Sequence, residues 1–596
     1  MKKRVADILV EELIERGITD CFSVVGGGAM HLNNAFVLAK DRIRTIYNHH
    51  EQACSMAAEG YARLTGKLAA VCVTSGPGGI NALNGVQGAW VDSVPMLVIS
   101  GMPRYETTVA ATGLKLRSRG VQENDIISQV KSITKYAVLV RDPLSIKREL
   151  NKAIMIALEG RRGPVWLDIP LDVQGAMVEE KDLYEDESAT FGEGVDAGQL
   201  GEIGRMLSEA ERPCILTGSG IRTGDAIDGY REFTKNVRIP IVGGALQADI
   251  NYHGEENYYG MSGSSGPRCG NFILQSADLI LVLGNSLSYK QTGFYQEGFA
   301  ENAKIIMVDA CADESKKPGL RIERLICTDL KSFFRQWNAL GIKVTAKEAW
   351  TEHCRYVYDS IPKYEMLLRH GALDEKERVP ALLFWREFMK EAESDAVVVL
   401  GNSNCVLGIL QEGISHRDQR VLVNYNCGSM GDDITQAVGA AAATQSPIYC
   451  VTGDGSVMMN LQELQTISYH RFPIKIVIFS NDGYAAIRQT CSNFFGGTYT
   501  GCDEKSGVSF PNFSKVADAF EIAFRRCHSV GELEDGIEWL MKEQGPCILE
   551  VLERIDEIRG PRIESKMNEN GEFITPPLHD MSPFLSKEEL ERYILK

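Results

Sequence analysis

Residues 453–456 read Gly-Asp-Gly-Ser and residues 480–483 read Ser-Asn-Asp-Gly, and the segment that they bracket decides the fold of this chain. A short apolar run of strand character precedes each quartet, at 448–451 and at 474–479. Between the quartets lies one helix-like segment, 461–469, which is the spacing of one parallel β-α-β repeat. The sequence therefore predicts two neighbouring parallel strands whose carboxyl ends carry the two loops.

The two loops carry oxygen atoms that suit a small hard cation. Asp454 offers a carboxylate, Asn481 an amide oxygen and Gly483 a backbone carbonyl oxygen. Mg²⁺ prefers such oxygens in octahedral geometry, with ligand phosphates in the remaining positions. Glycines let backbone N–H groups approach phosphate oxygens closely. A single Gly-Asp-Gly-Ser is at least as often a surface turn, so the metal prediction depends on both loops occurring together.

Length and composition limit the class of protein. The 596 residues exceed what one hydrophobic core holds, so two or three domains are expected. The hydrophobic fraction of 44% and the charged fraction of 24% are ordinary for a globular protein. The formal net charge of -17 argues against non-specific binding to nucleic acid or to anionic membranes.

Cysteine usage and the first residues bear on localisation. The 15 cysteines form no Cys-x-x-Cys pair, so neither a zinc site nor a disulfide framework is predicted, and a reducing compartment is expected. Residues 5–14 form an amphipathic helix pattern rather than the apolar run of a signal peptide. No apolar stretch has the length of a membrane span. We therefore expect a cytoplasmic protein with no nucleic-acid or membrane partner.

The alternation of apolar runs and helical patterns predicts an α/β protein with three doubly wound parallel-sheet domains. The domains are predicted at residues 1–180, 197–345 and 376–555, with an acidic linker at 179–196 and a C-terminal tail at 556–596 that packs over another part of the fold. The runs on which this depends lie at 68–74, 96–100, 165–170, 213–218, 239–242, 279–284, 305–308, 397–401, 448–453, 474–480 and 547–551.

The two quartets together resemble the diphosphate motif of thiamine diphosphate enzymes, Gly-Asp-Gly followed some two dozen residues later by Asn-Asn. Ser480 replaces the first Asn, whereas the ligand-bearing second Asn is kept as Asn481. In the first domain, residues 48–52 and 74–81 resemble the pyrimidine-binding segments of the same family. The resemblance implies a pyrimidine-binding first domain, a central domain and a third domain that binds the diphosphate and Mg²⁺.

Glu51 matches the family's glutamate that hydrogen-bonds the aminopyrimidine ring. Taken alone, a Glu at this place reads as an ordinary residue at a helix N-terminus. The resemblance gives it chemistry, because a carboxyl group that shares a proton with the ring nitrogen promotes the imino tautomer, and this tautomer removes the C2 proton of the thiazolium. The same resemblance implies catalytic roles for His50 and Gln122, and leaves Glu123 as a solvated helix residue.

Residues 428–431, Gly-Ser-Met-Gly, resemble the segment whose large apolar side chain holds the cofactor in a bent shape. Met430 is the matching residue, although most methionines only fill a core. Residues 401–404 occupy the strand end from which relatives contact the diphosphate. The complete set of cofactor-binding positions that the resemblance implies is Gly27, Thr74, Pro77, Asn81, Asn402, Ser403, Asn404, Gly428, Met430, Gly453, Gly455, Ser456, Asn481, Tyr484, Ala485 and Ala486.

The resemblance covers residues 1–555 and is strongest to acetolactate (acetohydroxyacid) synthase-like proteins. Three departures stand out. Thr490 replaces a Trp that shapes the acceptor pocket, and Asp432-Asp433-Ile434-Thr435 replaces Tyr-Gly-Leu-Pro, where two carboxylates facing the pocket would repel a second keto acid. At 260–266 and after Gly284 the flavin-contacting residues are absent, which argues against FAD bound as in the synthases.

The resemblance implies an enzyme that decarboxylates a 2-keto acid, with pyruvate as the expected donor, and transfers the two-carbon unit to a keto acceptor. The acceptor is a second 2-keto acid or, since the pattern at 577–585 is similar to synthase-like proteins of glycan pathways, a keto-sugar. A simple 2-keto acid decarboxylase or an acyl-CoA lyase remains the alternative, and intact Glu51, Asp454 and Asn481 argue against a non-catalytic homologue. Family members are homodimers or homotetramers with the active site at the subunit interface.

Overall fold

The computed structural model describes residues 2–185, 194–245, 248–555, 557, 559–567 and 570–595. Three six-stranded parallel sheets follow one another along the chain, each flanked by helices. This confirms the predicted fold class of three parallel α/β units. Residues 186–193 of the expected linker lie outside the described residues. Within the described residues, none of the helices has the length and apolar character needed to cross a bilayer.

The first unit contains eight strands and seven α-helices. Its strands are β1 (Lys2–Arg4), β2 (Asp20–Ser23), β3 (Arg44–Tyr47), β4 (Ala70–Val73), β5 (Met96–Met102), β6 (Tyr136–Leu139), β7 (Pro164–Pro170) and β8 (Met177–Glu179). Its helices are α1 (Val5–Glu15), α2 (Met30–Leu38), α3 (Glu51–Thr65), α4 (Pro77–Val91), α5 (Ile126–Val130), α6 (Ile146–Leu158) and α7 (Leu171–Gln174). The parallel sheet has the order β3-β2-β4-β5-β7-β6, and β1 pairs antiparallel with β8.

The middle unit has a different strand order. Its strands are β9 (Pro213–Thr217), β10 (Val237–Arg238), β11 (Ile241–Gly243), β12 (Tyr258–Met261), β13 (Leu279–Leu283), β14 (Lys304–Asp309), β15 (Ile322–Cys327) and β16 (Val344–Thr345). Its helices, with two that lead to the third unit, are α8 (Ala197–Glu209), α9 (Gly220–Thr223), α10 (Ile227–Asn236), α11 (Arg268–Ser276), α12 (Tyr289–Thr292), α13 (Leu330–Leu340), α14 (Glu348–Ser360) and α15 (Glu365–Arg369). The sheet order is β12-β11-β9-β13-β14-β15.

The third unit repeats the strand order of the first. Its strands are β17 (Val397–Leu400), β18 (Arg420–Val423), β19 (Ile448–Gly453), β20 (Ile474–Ser480), β21 (Ala523–Cys527) and β22 (Cys547–Leu552). Its helices are α16 (Ala381–Glu391), α17 (Asn404–Glu412), α18 (Asp432–Ala443), α19 (Asp454–Val457), α20 (Glu463–His470), α21 (Ala485–Phe494), α22 (Phe513–Ala519) and α23 (Leu533–Lys542). The sheet order is β18-β17-β19-β20-β22-β21.

The tail contributes β23 (Lys566–Met567), β24 (Phe573–Ile574) and α24 (Lys587–Tyr593) and packs on the middle unit. Leu578 and Met581 are buried there. Arg268 Nη1 donates to the Met581 carbonyl at 2.9 Å and Asn271 Nδ2 donates to the Leu578 carbonyl at 3.0 Å, both from α11. The tail therefore packs over another part of the fold, as expected.

Strand order fixes where a ligand can lie. In the first unit the chain leaves the adjacent strands β2 and β4 in opposite directions across the sheet, and β17 and β19 have the same relation in the third unit. In doubly wound sheets the crevice at the carboxyl ends of such a strand pair is the usual ligand site. The loops after β2, β4, β17 and β19 are therefore the structural candidates, whatever their sequence.

The first and third units share one hydrophobic core through α3 and α18. Gly60 and Gly439 permit the close approach of the two helices. A Cβ atom on Gly60 would overlap the backbone of Gln436, and one on Gly439 would overlap the carbonyl of Ala57. The two units are thus held in one fixed relation by backbone-to-backbone packing.

Candidate active site

The two loops that the sequence singled out meet around Asp454. Its Oδ2 atom accepts hydrogen bonds from the backbone N–H of Asn481 at 3.0 Å and of Gly483 at 3.2 Å, and its Oδ1 from Gly455 N at 2.8 Å. β19 and β20 are paired in register up to Gly453 and Phe479, which places the two loops side by side. The prediction of neighbouring strand ends is therefore confirmed.

The environment of Asp454 suits a cation. Burial raises the pKa of this carboxyl group to about 7, although the N–H groups of Gly483 and Asn481 act to lower it. Asp454 forms no ion pair with any residue that the structure describes. A bound Mg²⁺ would supply the missing positive charge, and the carboxylate, amide and carbonyl oxygens present are the ligands that it prefers. No cluster of three His, Cys, Asp or Glu side chains occurs among the described residues, so the remaining ligands would be other oxygens.

The side-chain amide of Asn481 is held at both ends. Its Nδ2 atom donates to Glu553 Oε2 at 2.8 Å, and its Oδ1 accepts from Arg488 Nη2 at 3.2 Å. Arg488 Nη2 also donates to the Asn481 backbone carbonyl at 2.8 Å. An amide oxygen has two lone pairs, so Oδ1 retains one for a metal ion.

The loops after β17 and β18 close over the same strand ends. Asn402 Nδ2 donates to the carbonyls of Gly428 at 2.9 Å and Ser429 at 3.2 Å, and Gly431 N donates to Ser456 Oγ at 2.8 Å. Half-buried Met430 lies in this loop, between Gly428 at φ +66° and Gly431 at φ +79°. Of these residues, Asn402, Gly428, Met430 and Ser456 were predicted as cofactor-binding, and the structure brings their loops together.

Ser403 and Asn404 lie where the loop after β17 passes into α17. Ser403 is exposed and has φ +64°, a strained value for a residue with a Cβ atom. Asn404 is buried as the first residue of α17, and within the described part of the chain its Oδ1 atom has no hydrogen-bond partner. An orphaned acceptor at a predicted cofactor position is a second indication that this strand end is built for a ligand.

Tyr484, Ala485 and Ala486 lie where β20 passes into α21. The Tyr484 ring packs against Gly455, because a Cβ atom there would overlap it. Tyr484 N donates to the Cys502 carbonyl at 2.8 Å. Ala485 and Ala486 form the first turn of α21, with Ala486 exposed.

In the first unit, Glu51 is the first residue of α3 and His50 is its N-cap. His50 Nδ1 accepts from Gln52 N at 3.2 Å. Glu51 Oε2 accepts from Asn81 Nδ2 at 2.9 Å. Glu51 and Asn81, which were predicted separately as catalytic and cofactor-binding residues, are thus in contact. One nitrogen of the His50 imidazole accepts a structural hydrogen bond.

The loop after β4 lies beside Glu51. Gly28 N donates to Thr74 Oγ1 at 3.0 Å, which ties this loop to the Gly-rich loop after β2 that also contains the exposed Gly27. Pro77 begins α4, and a Cβ atom on Gly78 would lie 3.4 Å from Glu51 Oε1. The first-unit residues that were predicted from the sequence therefore surround one crevice.

Glu463 fixes the segment that leads to Glu51. This buried carboxylate on α20 accepts from Asn48 Nδ2 at 2.9 Å and from His49 N at 3.0 Å. The third unit therefore holds the segment immediately before α3 in place. A single sequence does not show these contacts, because Asn48 and His49 lie 415 and 414 residues from Glu463 along the chain.

Gln122 and Glu123 differ from each other. Gln122 is exposed at φ +55°, and its carbonyl lies against Gly76 in the loop after β4. The expectation that Glu123 is a solvated helix residue is wrong. Its carboxylate accepts from the backbone N–H of Val109 at 2.6 Å and of Arg119 and Gly120, both at 2.8 Å. Burial raises its pKa, but these N–H groups outweigh burial and lower it overall.

Two of the three departures from the synthase pattern, the Asp432-Asp433 pair and Thr490, occupy different environments. Asp432 and Asp433 are buried at the start of α18. Asp433 Oδ2 accepts from Ser456 Oγ at 2.8 Å, and burial raises the pKa of both carboxyl groups. The repulsion argument requires the two carboxylates to face the open acceptor pocket. Because both are buried, they do not project into open space. Thr490, by contrast, is exposed on α21, where its hydroxyl donates to the Ala486 carbonyl at 3.0 Å.

Sequence reasoning missed Glu553, which follows β22 and is fully buried. It lies in the run Glu553-Arg554-Ile555-Asp556-Glu557, which has the appearance of a solvated charged segment. Only the pairing of β22 with β20 brings it to the strand end that carries Asn481. No signal in a single sequence distinguishes this Glu from the other charged residues of the run.

Comparison with known proteins identifies three consecutive domain models of one family. Residues 3–131 match the thiamine pyrophosphate enzyme N-terminal TPP binding domain, residues 200–336 the central domain, and residues 406–551 the C-terminal TPP binding domain. Together these matches cover more than two thirds of the chain.

The chain is also similar to curated proteins over nearly its whole length. It is 28% identical to the acetolactate synthase isozyme 2 large subunit of Escherichia coli, over 93% of this chain and 96% of that protein. It is 28% identical to acetolactate synthase 2 of Nicotiana tabacum, over 92% and 82%, and 29% identical to a probable acetolactate synthase 2 of Oryza sativa, over 96% and 86%. With its three parallel sheets and its three matched domains, the chain belongs to the thiamine pyrophosphate enzyme family and is an enzyme of acetolactate synthase type.

Proposed function

We propose that the protein is a thiamine diphosphate- and Mg²⁺-dependent enzyme that decarboxylates a 2-keto acid, with pyruvate as donor, and transfers the two-carbon unit to a keto acceptor. The observation that carries this proposal is the presence of two separate half-sites in the chain. Glu51 and Asn81 are joined at one crevice, and Asp454 joins Asn481 and Gly483 at the other. Family membership supports the general reaction, and these contacts support the cofactor and the metal.

The third unit would hold the diphosphate and the metal. Asp454, Asn481 and the Gly483 carbonyl are the proposed Mg²⁺ ligands, and the loops with Asn402, Ser403 and Gly453 would face the phosphates. Gly453 leaves room, because a Cβ atom there would meet nothing within 4 Å. A cavity of about 460 Å³ opens beside Asp454 and Ser480, so the carboxylate is within reach of a ligand from outside. When bound, thiamine diphosphate supplies a nucleophilic carbon and an electron sink.

The first unit would supply proton control. Asn81 occupies Glu51 Oε2, which leaves Oε1 without a protein partner in the part of the chain that the structure describes. Glu51 is proposed to hold a proton at the pyrimidine nitrogen through that free oxygen. His50 Nδ1 is occupied by the Gln52 N–H, so Nε2 is the nitrogen left to act on a substrate. Gln122 has an exposed side chain beside the same loop.

We propose a homodimer or homotetramer in which the two half-sites of different subunits face each other. Within one chain, the side chain of Glu51 has a hydrogen bond to Asn81 but none to Asp454 or Asn481 among the described residues. Helices α2 and α4 of the first unit expose large apolar side chains, with Leu38 70% exposed and Ile80 47% exposed. Helix α21 of the third unit ends in Phe494, 77% exposed. A second copy of the chain would cover such surfaces.

The acceptor is proposed to be a second 2-keto acid or a keto-sugar. Thr490 leaves α21 open where an indole would narrow the pocket. The tail reaches this helix, since Arg562 Nη1 donates to Gln489 Oε1 at 2.9 Å. At the middle unit, Asn285 stands in place of the expected Arg, and its Nδ2 donates to the Thr217 carbonyl at 3.0 Å. These contacts support a site that differs from the synthases in its acceptor and in needing no FAD.

The test is CO₂ release by the purified protein with pyruvate, thiamine diphosphate and Mg²⁺. We expect release that stops when EDTA removes the metal and returns when Mg²⁺ is restored. Adding separate keto acids and keto-sugars should yield a ligated product with one of them. Release of free aldehyde with every acceptor would favour a simple decarboxylase, and no release from any small 2-keto acid would overturn the proposal.

A further inference from the structure

Glu553 lies at the bottom of the proposed diphosphate and metal site. It follows β22 directly, and its side chain is fully buried. Its backbone is fixed on both sides, because Glu553 N donates to the Ser480 carbonyl at 3.0 Å and a bridge joins Glu553 to Val379. The carboxylate therefore has one well-defined place between the loops that follow β17 and β20.

Each carboxylate oxygen of Glu553 holds a different asparagine. Oε2 accepts from Asn481 Nδ2 at 2.8 Å, and Oε1 accepts from Asn404 Nδ2. Both asparagines are themselves buried. Because the N–H₂ end of each amide is bound to Glu553, the Oδ1 end of each must point away from it.

The two amide oxygens are in different states. Asn481 Oδ1 has one partner, Arg488 Nη2, at 3.2 Å, and keeps one lone pair. Asn404 Oδ1 is buried and has no hydrogen-bond partner among the residues that the structure describes. A buried amide oxygen without a partner costs stability, and in native proteins this usually has a reason such as a ligand or an ion.

We propose that Glu553 is a positioning residue that fixes the amide orientation of Asn404 and Asn481, so that both Oδ1 atoms are presented to a cation or its water shell at the Asp454 site. This inference rests on the proposed metal and diphosphate site. Groups that orient metal ligands through hydrogen bonds typically change metal affinity 10–100-fold, which is about the size of effect expected here.

Two substitutions of Glu553 and a double-mutant cycle test this role. Glu553→Ala frees both amides, and Glu553→Gln keeps the size of the side chain but can accept from only one of them. Affinity for thiamine diphosphate is measured by calorimetry at fixed Mg²⁺, and affinity for Mg²⁺ by titration at fixed cofactor. We expect both affinities to fall, by roughly 10–100-fold in Glu553→Ala and less in Glu553→Gln. Turnover at saturating cofactor and Mg²⁺ should stay near that of the wild type, because Glu553 contacts no reacting atom.

The control is Glu393→Gln. Glu393 also accepts hydrogen bonds in the third unit, from Tyr449 Oη at 2.8 and 3.0 Å, but at the amino end of the sheet. It should leave both affinities unchanged. In a double-mutant cycle, the combined loss in the variant with both Glu553→Ala and Asn404→Ala should be smaller than the sum of the two single losses, because both substitutions remove the contribution of the oriented Asn404 amide.

The outcomes separate this inference from the proposed function. Wild-type affinities in folded Glu553→Gln and Glu553→Ala, or additive losses in the cycle, would overturn the positioning role and leave the proposed function standing. Failure of the wild-type protein to bind thiamine diphosphate with Mg²⁺ would overturn both. Should Glu553→Ala lose its cooperative thermal transition, Glu553→Gln decides the question on affinity alone.

Discussion

In the first unit, β2 and β4 end in glycine-rich loops, and the one carboxylate of the site, Glu51, follows the neighbouring strand β3. In the third unit, the strands at the equivalent positions, β17 and β19, end in asparagine- and aspartate-bearing loops, and the neighbouring strand β18 leads to the apolar Met430. The two strand orders are the same. Topology therefore places a ligand crevice in both units, and the residues that follow each strand decide what the crevice binds.

The last strand along the chain in each of these two six-stranded sheets, β7 in the first unit and β22 in the third, extends the comparison. β7 pairs with β5 in the first unit as β22 pairs with β20 in the third. Both strands bring a buried carboxyl group to their neighbour. Asp168 lies within β7 and accepts from Ser100 Oγ at 2.6 Å on β5, whereas Glu553 lies beyond β22 and reaches the loops of the site. A buried carboxyl group within the strand, as at Asp168, thus joins two strands. One just beyond the strand end, as at Glu553, can orient the residues of a ligand site.

The largest effect is expected from Glu51→Gln, which removes proton exchange at the first crevice and leaves the third unit intact. Turnover should fall by roughly 10²–10⁴-fold, the usual contribution of a positioned acid or base. Affinity for thiamine diphosphate and Mg²⁺ should change little, because Asp454 and Asn481 remain. CO₂ release and calorimetric binding measure the two quantities. If turnover and cofactor affinity fell to the same extent, the assignment of proton transfer to the first unit and of cofactor binding to the third unit would be wrong.

Asp454→Ala should have the opposite signature. It removes a carboxylate ligand and frees the N–H groups of Asn481 and Gly483, so we expect cofactor affinity in Mg²⁺ to fall by about 100-fold or more, beyond the usual loss of an orienting group. Part of the turnover should return at high cofactor and metal. Titration of the cofactor at several Mg²⁺ concentrations gives the affinity. Wild-type affinity in this variant would refute the metal assignment.

The sequence was sufficient for features that depend on local pattern. Buried central strands such as β19, β20 and β22 are predominantly apolar, with at most one charged residue each, so their position and the loops after them could be predicted. Edge strands such as β15 and β21 contain two charged residues each and are mostly only partly buried, so they were not singled out.

Roles that depend on distant pairing were beyond the sequence. Glu123 follows no strand or helix signal, and its three N–H partners come from a loop that only the fold closes. The burial of Asp432 and Asp433 depends on the contact between α18 and the rest of the core, which a single sequence does not contain. Residues next to predicted strands were therefore found, and residues whose partners lie on other elements were not.

Gly439→Ala tests whether the relation between the two units is fixed by close packing. The added methyl group would overlap the Ala57 carbonyl and lie 2.9 Å from Tyr61 N. We expect a destabilisation of about 1–3 kcal/mol, measured as a lower midpoint of denaturant unfolding. Gly201→Ala is the control, since its methyl group would meet nothing within 4 Å in α8, and a stabilisation of up to about 1 kcal/mol is expected. Equal effects of the two substitutions would contradict the packing argument.

The last expected effect is a change of stability with pH, which we attribute to Asp168, the first-unit counterpart of Glu553. Burial raises the pKa of Asp168 from 3.8 to about 7, although the Ser100 hydroxyl acts to lower it. Between these values the unfolded chain has released a proton that the folded protein retains. The free energy of unfolding should therefore fall as pH rises, by about 1.4 kcal/mol per pH unit for this group, and the fall should end near pH 7.

Asp168→Asn should remove that contribution, because an amide does not ionise. Other buried carboxyl groups with raised pKa values, such as Asp433, remain in both proteins, so the informative quantity is the difference between wild type and variant from pH 5 to pH 7. Denaturant midpoints should decline more steeply with pH in the wild type. Affinity for thiamine diphosphate should be the same in both, in contrast to Glu553→Gln, because Asp168 orients no ligand. Parallel pH curves would mean that Asp168 is ionised in the folded protein, and a loss of cofactor affinity would place it in the site after all.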